Sequence, residues 1–247
     1  MIRTSKQSDT PQIISLWHSS FGDSKAYIRS FLSAIGTPDR CLVAELEGKI
    51  ASMLFMLPAE IKIEKETRKL FYIYACATSP AFRGKGLMRD LLEASYKQAV
   101  EQSAFGLMLI PASKELSAYY QKNGFEPFFF NNNFEWENTQ NLQPVALTSE
   151  VISQLIAMRK RTLQSTLGVQ WPDNHLTFAL NEIATEGGKV ILEEDFYVLL
   201  SAENRVIETL PLERFRQTND EEYGLIRFCG DEKIDRTDQS YLNFGLD

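Results

Sequence analysis

A strand, a glycine-containing turn and a helix follow one another between Leu70 and Glu101. The run LFYIYACATS is mostly apolar, as expected of a strand covered on both faces of its sheet. Pro80 ends this strand, because proline cannot donate a ladder hydrogen bond. From Gly86 onward, apolar and small residues recur at helical spacing. They are Leu87, Leu91, Leu92, Ser95 and Ala99. The segment therefore predicts a buried strand that turns directly into a helix.

The turn of this unit gathers three cations around two glycines. Arg83, Lys85 and Arg89 surround Gly84 and Gly86. Backbone N–H groups in the first turn of a helix have no helical partner, and the helix dipole favours negative charge there. Glycine lets the backbone approach a ligand closely. The turn therefore predicts a site for an anion, most simply a phosphate.

Composition limits the classes of partner. The chain has 247 residues, 44% of them hydrophobic and 24% charged, with a net charge of −7. This charge argues against a general nucleic-acid binder and mildly favours cationic or neutral partners. It also means that the basic cluster is not a consequence of overall composition.

Cysteine usage and hydropathy indicate a cytoplasmic protein. Cys41, Cys76 and Cys229 lie far apart and no CxxC occurs, so we expect neither a disulfide framework nor a zinc site. No apolar run of about 18 residues is present, and the first residues lack the apolar core of a signal peptide. We expect no membrane partner. His18 and His175 are far apart and predict no metal site.

Secondary-structure patterns place further elements on both sides of the unit. Before it we expect a strand, two helices, a hairpin around Glu47-Gly48 and a polar turn, at residues 1–6, 8–21, 25–35, 40–63 and 66–69. After it we expect a buried strand, a helix capped by Ser113 and a strand pair, at 105–112, 113–123 and 125–137.

The polar stretch 138–144 is the best candidate for a domain boundary. Beyond it the pattern predicts helices at 148–168 and 173–188, and strands at 189–194, 196–211 and 223–230. Residues 197–210 repeat the hairpin pattern of 41–54, with Glu203-Asn204 in the place of Glu47-Gly48, and two helices precede each copy. The cations and glycines of residues 83–89, which we call the anion turn, are absent from the second copy.

Three phosphate-binding patterns can be compared with the turn. A Walker loop needs Ser or Thr after Gly-Lys, and a dinucleotide fingerprint needs a third glycine where this chain has Arg89. The third pattern, [QR]-x-x-G-x-[GA], is the pyrophosphate loop of the GNAT superfamily of N-acetyltransferases. Residues 83–88, RGKGLM, resemble it except at Met88, a larger side chain that fits if it points to the core. The segment SAYYQKNGF resembles the downstream GNAT helix and turn.

This resemblance implies an α/β (α+β) fold: a GNAT-type mixed, twisted sheet flanked by helices at residues 1–137. Residues 145–247 would form a degenerate, partial GNAT-like unit, which we expect to shape the acceptor cleft or the interface of a homodimer. Acetyl-CoA would be the co-substrate. Its pyrophosphate would bind the backbone of Arg83, Gly84, Lys85, Gly86, Leu87 and Met88, with Arg89 reaching a phosphate. Its pantetheine arm would align along Cys76, Ala77 and Thr78.

The resemblance also implies a reaction. An amine of a small molecule or peptide would attack the thioester directly, and Tyr120 would protonate the departing thiolate. Its neighbour Tyr119 is the expected core residue of the pair. Tyr72 and Tyr74 alternate on one face of the strand and would line the acceptor pocket, although aromatic core packing explains them equally well. The alternative function is a non-catalytic acyl-CoA-binding regulator or scaffold.

The base that accepts the amine proton has several candidates. Glu45 and Glu60 lie in the hairpin region, where strand carboxylates are usually only solvated. The C-terminal carboxylate at Asp247 follows a semi-apolar tail, and water serves equally well.

Overall fold

The computed structural model describes residues 1–63, 66–135, 141–163, 167–211, 216–230, 234 and 242. Its helices are α1 Thr10–Phe21, α2 Lys25–Ala34, α3 Leu87–Glu101, α4 Lys114–Gln121, α5 Ser149–Thr162 and α6 Asp173–Thr185. Its strands are β1 Ile2–Thr4, β2 Cys41–Leu46, β3 Lys49–Ile63, β4 Glu66–Thr78, β5 Gly106–Leu109, β6 Glu126–Glu135, β7 Val169–Gln170, β8 Lys189–Leu192, β9 Tyr197–Leu200, β10 Val206–Leu210 and β11 Arg216–Phe228.

The chain folds into two units, each packed around its own residues. Unit 1 contains Met1–Glu60, Arg68–Glu126 and Leu225–Ile234. Unit 2 contains Ile61–Thr67 and Pro127–Gly224. Unit 1 is therefore discontinuous in sequence, since its last strand residues come from far downstream. The boundary that we placed at 138–144 stays a prediction.

Unit 1 is built on a mixed sheet with the strand order β1-β2-β3-β4-β5-β11. The pairs β1–β2, β2–β3 and β5–β11 are antiparallel, whereas β4 and β5 are parallel. The hairpin predicted around Glu47-Gly48 is confirmed, because Leu46 pairs with Lys49 across it. The parallel register pairs Leu70 to Tyr72 with Gly106 to Met108, and β4 then continues to Thr78 while β5 ends at Leu109.

Helices cover both faces of this sheet. On one face, Phe71 and Ile73 belong to a buried cluster with Leu91 and Leu92 of α3. On the other face, the rings of Trp17 and Phe31, from α1 and α2, pack against Phe55 of β3. A mixed sheet flanked by helices is what the sequence led us to expect of the first half of the chain.

Unit 2 contains α5, α6 and an antiparallel three-stranded sheet with the order β10-β9-β8. A buried ion pair joins two of its elements: the Nε of Arg159 on α5 lies 3.3 Å from a carboxylate oxygen of Glu208 on β10. Arg159 is 2% exposed and Glu208 is 0% exposed. Tyr197 of β9 donates a further hydrogen bond to Glu208.

Three local predictions are wrong. Residues 66–69 begin β4 instead of forming a turn. They are polar because this end of the strand is mostly exposed, and the polar pattern was therefore mistaken for a turn. Over its described residues, the expected strand pair at 125–137 is a single strand, β6, which runs through the asparagines 131–133 and pairs with β11; residues 136 and 137 lie outside the described residues. Helix α5 ends at Thr162, before the predicted residue 168.

Candidate functional site

Both glycines of the anion turn adopt a backbone conformation that favours glycine. After β4, residues Pro80–Phe82 form a short 3-10 turn, and α3 begins at Leu87. Gly84 and Gly86 have φ of +76° and +77°, a region that strains residues with a Cβ. A Cβ on Gly84 would meet no atom within 4 Å, so backbone conformation and not crowding explains this glycine.

Backbone donors are concentrated at the start of α3. The first helical hydrogen bond runs from the N–H of Asp90 to the carbonyl of Gly86, at 3.0 Å. The N–H groups of Leu87, Met88 and Arg89 precede this bond, and within the described chain no side chain caps the helix. These donors and the positive end of the helix dipole suit an anion.

The three cations of the turn have different surroundings. Arg83 is exposed, and its Nε donates to the carbonyl of Thr78 at 3.2 Å. The Nζ of Lys85 lies 5.2 Å from the centre of the Phe82 ring. Arg89, which we expected to reach a phosphate, pairs with Asp90 at 3.0 Å on the surface. An exposed pair of this kind contributes little free energy, so it opposes release of Arg89 only weakly.

Met88, the departure from the GNAT pattern, is half-buried. It packs against the apolar cluster that contains Leu91 and Tyr120. The side chain of Met88 therefore points to the core. This is the condition under which we expected a residue larger than Gly or Ala to fit the GNAT pattern.

An irregularity in β4 decides where Cys76 lies. Ala75 has φ of +50°, which no regular strand residue adopts. Strict alternation would place Cys76 on the face of Tyr72 and Tyr74. Instead, Cys76 packs against the cluster of Phe71 and Ile73 on the opposite face.

This shift brings Cys76 to Tyr120 of α4. Tyr120 belongs to the apolar cluster against which Cys76 packs, and each group influences the pKa of the other. Burial raises the pKa of Cys76 to about 12 and also raises the pKa of Tyr120. Both groups consequently keep their protons at neutral pH. A protonated phenol beside a sulfur atom has the chemistry of a proton donor to a thiolate.

The roles expected of the two tyrosines need one correction. Tyr119, the expected core residue, is half-buried, whereas Tyr120 is only 8% exposed and belongs to the apolar cluster. Tyr120 also packs edge-on against Phe125, at 5.9 Å between ring centres. Because α4 is short, one residue of register decides which of two adjacent tyrosines is buried, and apolar spacing alone did not resolve it.

Tyr72 and Tyr74 lie on one face of β4, as predicted. Their rings stack at 5.8 Å, and Tyr72 is 1% exposed while Tyr74 is half-buried. Tyr74 also contacts Trp17, and its hydroxyl lies 3.3 Å from that of Tyr27 on α2. Tyr72 is thus a core residue. Tyr74 lies at the edge of the aromatic cluster formed by Trp17, Phe31 and Phe55.

The candidate bases do not converge on this site. Glu45 pairs with Arg3 at 2.8 Å, and Glu60 is exposed. Asp247 lies outside the described residues.

The two histidines lie in different surroundings. His18 is exposed and bonds the carbonyl of Asp23, whereas His175 is buried and stacks on Trp171. Across the described parts of the chain, no group of His, Cys, Asp and Glu side chains could hold a metal ion.

Two features of unit 1 were not found from the sequence. Arg227 of β11 packs its guanidinium on the Tyr96 ring at 3.8 Å and pairs with Glu93 of α3 at 2.9 Å. It lines an open cleft of about 350 Å³ beside the first turns of α3. Ser52, buried on β3, bonds the end of β4. The sequence around Arg227 or Ser52 contains no pattern that predicts these contacts, because each contact joins segments that are distant in sequence.

None of the helices in the described part of the chain combines the length and apolarity needed to cross a membrane.

Comparison with known proteins places this geometry in a family. Residues 1–128, more than half of the 247-residue chain, match the family model described as an acetyltransferase (GNAT) domain. No curated protein matches the chain.

Several solved structures resemble it. A GCN5-related N-acetyltransferase from Anabaena variabilis has a TM-score of 0.69 at 16% identity, covering 93% of this chain and 73% of that one. One from Kribbella flavida has a TM-score of 0.70 at 11% identity, covering 92% and 70%. Eis1 from Mycobacterium abscessus has a TM-score of 0.68 at 10% identity, covering 93% and 74%. These similarities establish a common fold. With the family match over residues 1–128, they show that the chain belongs to the GNAT family of acetyltransferases.

Proposed function

We propose that this protein is an acetyl-CoA-dependent N-acyltransferase that moves an acetyl group to the amine of a small molecule or peptide. The observation that carries the proposal is the turn between β4 and α3. There, two glycines with positive φ lead into the uncapped N-terminus of α3, next to a strand end and a buried phenol. The proposal assigns the pyrophosphate of acetyl-CoA to this turn.

The backbone of Arg83 to Met88 would bind the pyrophosphate. Arg83 supports this role, because its Nε is anchored on Thr78 and the guanidinium stays exposed beside the turn. Lys85 adds a second exposed charge. Arg89 would join the site by exchanging its surface contact with Asp90 for a phosphate oxygen.

The pantetheine arm would lie along the end of β4. The carbonyl of Ala77 is already used by Ser52, and the N–H of Ser79 bonds the carbonyl of Ala51 on β3. Because backbone groups alternate along a strand, those of Cys76 and Thr78 face away from β3. These two residues are therefore the expected partners of the arm, and one of their N–H groups would polarise the thioester carbonyl.

Tyr120 would act as the general acid. In a direct attack, the amine nitrogen bonds to the thioester carbon, and the carbon–sulfur bond breaks as the carbonyl reforms. The sulfur leaves with the electron pair of that bond and takes the phenolic proton of Tyr120. The amine loses its proton to water, and the phenol regains a proton from solvent. Burial raises the pKa of Tyr120, so the phenol is in its protonated form at neutral pH.

The acceptor would approach near Tyr74, the half-buried member of the tyrosine pair, with Tyr72 supporting it from the core. The net charge of −7 mildly favours a cationic amine. We expect the protein to work in the cytoplasm, without nucleic acid, membrane or metal.

The second half would contribute no cofactor site. Residues 145–247 would be a degenerate GNAT-like unit, and the hairpin of β9 and β10 after two helices supports that assignment. Because this half lacks the glycines and cations of the turn, the chain would bind one acetyl-CoA. A homodimer is compatible with this arrangement.

One observation favours the alternative, a non-catalytic acyl-CoA-binding regulator. The phenol of Tyr120 already packs near a protein sulfur, that of Cys76. A thiol-release assay with acetyl-CoA and a panel of polyamines, aminoglycosides and peptide amines separates the two functions. An enzyme releases CoA thiol with at least one amine. If no amine gives release above background while CoA still raises the melting temperature, the protein is a binder and not an enzyme.

A further inference from the structure

Ser52 is a buried polar residue at the end of β4 that the proposed chemistry does not use. Its side chain lies on β3 and the residue is 0% exposed. The hydroxyl donates to the carbonyl of Ala77 at 2.8 Å and lies 2.7 Å from the hydroxyl of Thr78. A buried serine hydroxyl needs hydrogen-bond partners, and both partners of Ser52, Ala77 and Thr78, lie at the end of β4.

The direction of the second bond follows from proton counting. A serine hydroxyl has one hydrogen, and the carbonyl of Ala77 can only accept it. The hydroxyl of Thr78 must therefore donate to Ser52. This bond holds Thr78 in one side-chain rotamer, and it holds the backbone on both sides of the Ala77–Thr78 peptide against β3.

Thr78 in turn holds the anion turn. Its carbonyl accepts a hydrogen bond from the Nε of Arg83 at 3.2 Å, and the next residue, Ser79, bonds the carbonyl of Ala51 at 2.9 Å. A chain of bonds thus runs from Ser52 through Thr78 to Arg83. It joins the strand end assigned to the pantetheine arm with the turn assigned to the pyrophosphate.

We infer that Ser52 is a positioning residue for the acyl donor, which aligns Thr78 and, through it, Arg83. The inference rests on the proposed function, because it requires acyl-CoA at this strand end and turn. Ser52 itself touches neither the donor nor the reacting atoms. Its contribution should therefore appear mainly in the affinity for a donor that reaches both Thr78 and Arg83.

The test compares two donors. Acetyl-CoA carries the pyrophosphate, whereas S-acetyl-N-acetylcysteamine keeps the thioester and lacks it. Ser52→Ala and Thr78→Val remove one hydroxyl each, and Thr78→Ser is the matched control that keeps the hydroxyl. We expect either hydroxyl loss to raise the KM for acetyl-CoA about tenfold, as befits the loss of one or two buried hydrogen bonds. The rise in the KM for acetyl-CoA should exceed any fall in kcat, and the KM for the short thioester should change much less.

Two further comparisons complete the test. Thr78→Ser keeps a hydroxyl and should raise the KM for acetyl-CoA less than Thr78→Val does. The double variant Ser52→Ala/Thr78→Val should be little worse than either single variant, since both break the same chain. Thr78→Val leaves the bond from Ser52 to Ala77 in place, so it remains informative if Ser52→Ala fails to fold.

Three outcomes would overturn the inference. An unchanged KM for acetyl-CoA in Thr78→Val means that the chain of bonds does not reach the donor. Equal losses with both donors, together with a lower melting temperature, assign Ser52 a purely structural role. Failure of the wild type to bind CoA removes the proposed function and this inference together, and it is seen before any variant is compared.

Discussion

Tyr120 of α4 and Cys76 at the end of β4 pack in one apolar cluster, close enough for each group to influence the pKa of the other. The contact exists because Ala75, with φ of +50°, turns Cys76 to the face of the sheet that carries α3 and α4. It places the proposed general acid beside the strand end assigned to the thioester. The same burial that isolates Tyr120 also keeps it protonated.

Tyr120→Phe tests this acid. We expect kcat to fall by about 10²-fold or more, the usual contribution of a positioned acid or base, with little change in the KM for acetyl-CoA. Tyr119→Phe is the matched control, because the adjacent ring is half-buried and has no assigned role in proton transfer. Steady-state kinetics measure both variants. Full turnover by Tyr120→Phe would refute the acid assignment.

Gly84→Ala separates backbone strain from function. Gly84 and Gly22 both have positive φ, +76° and +83°, and a Cβ on either meets no atom within 4 Å. Each alanine should therefore lower the free energy of unfolding by about 1–2 kcal/mol. Only Gly84→Ala should also weaken CoA binding, because Gly22 ends α1, whereas Gly84 lies in the anion turn. Denaturant unfolding and CoA titration of both variants make the comparison. Equal CoA affinity in the two would argue against the turn as the binding site.

The buried thiol of Cys41 should make stability depend on alkaline pH. Burial raises its pKa from 9.0 to about 12 in the folded chain. The unfolded thiol ionises near pH 9 while the folded one stays neutral, so this contribution is complete below pH 9 and is lost as the pH rises toward 12. The loss should be about 1.4 kcal/mol per pH unit. Cys41→Ala should therefore show a flatter decline of the free energy of unfolding between pH 9 and 11. Parallel curves for the two proteins would contradict the assignment.

The Arg159–Glu208 pair predicts a rescue in unit 2. Arg159→Met leaves a buried carboxylate without its cation and should cost about 3–5 kcal/mol of unfolding free energy. Adding Glu208→Gln removes the charge and keeps an acceptor for Tyr197, so the double variant should be more stable than Arg159→Met alone. Urea unfolding of the three proteins gives the free energies. A double variant less stable than Arg159→Met would mean that the charge of Glu208 is not the source of the cost.

Local features of the fold were readable from the sequence. Ser113 caps α4 as predicted, accepting the N–H of Leu116 at 3.2 Å, because capping depends on residues within one turn. The turn predicted from its glycines is also local, and it leads directly into α3, as expected.

Features that depend on distant segments were not readable. The run 223–230 predicted a strand, but nothing in it indicated that Leu225 would pair with Leu109 of β5. The contact between Tyr120 and Cys76 depends on the irregularity at Ala75, which reverses the alternation that a regular strand would give. The sequence therefore predicted the turn before α3 and named Tyr120, but it did not predict that Cys76 would pack with Tyr120.

Isothermal titration of CoA into the wild-type protein and an Arg83→Glu variant is the most direct measurement of the central proposal. We expect the wild type to bind one CoA per chain, since only the first half carries the glycine and cation turn. Charge reversal at Arg83, which is anchored on Thr78, should abolish or severely weaken binding. Absence of binding by the wild type, two molecules bound per chain, or equal affinity in the variant would contradict the assignment of this turn to the cofactor.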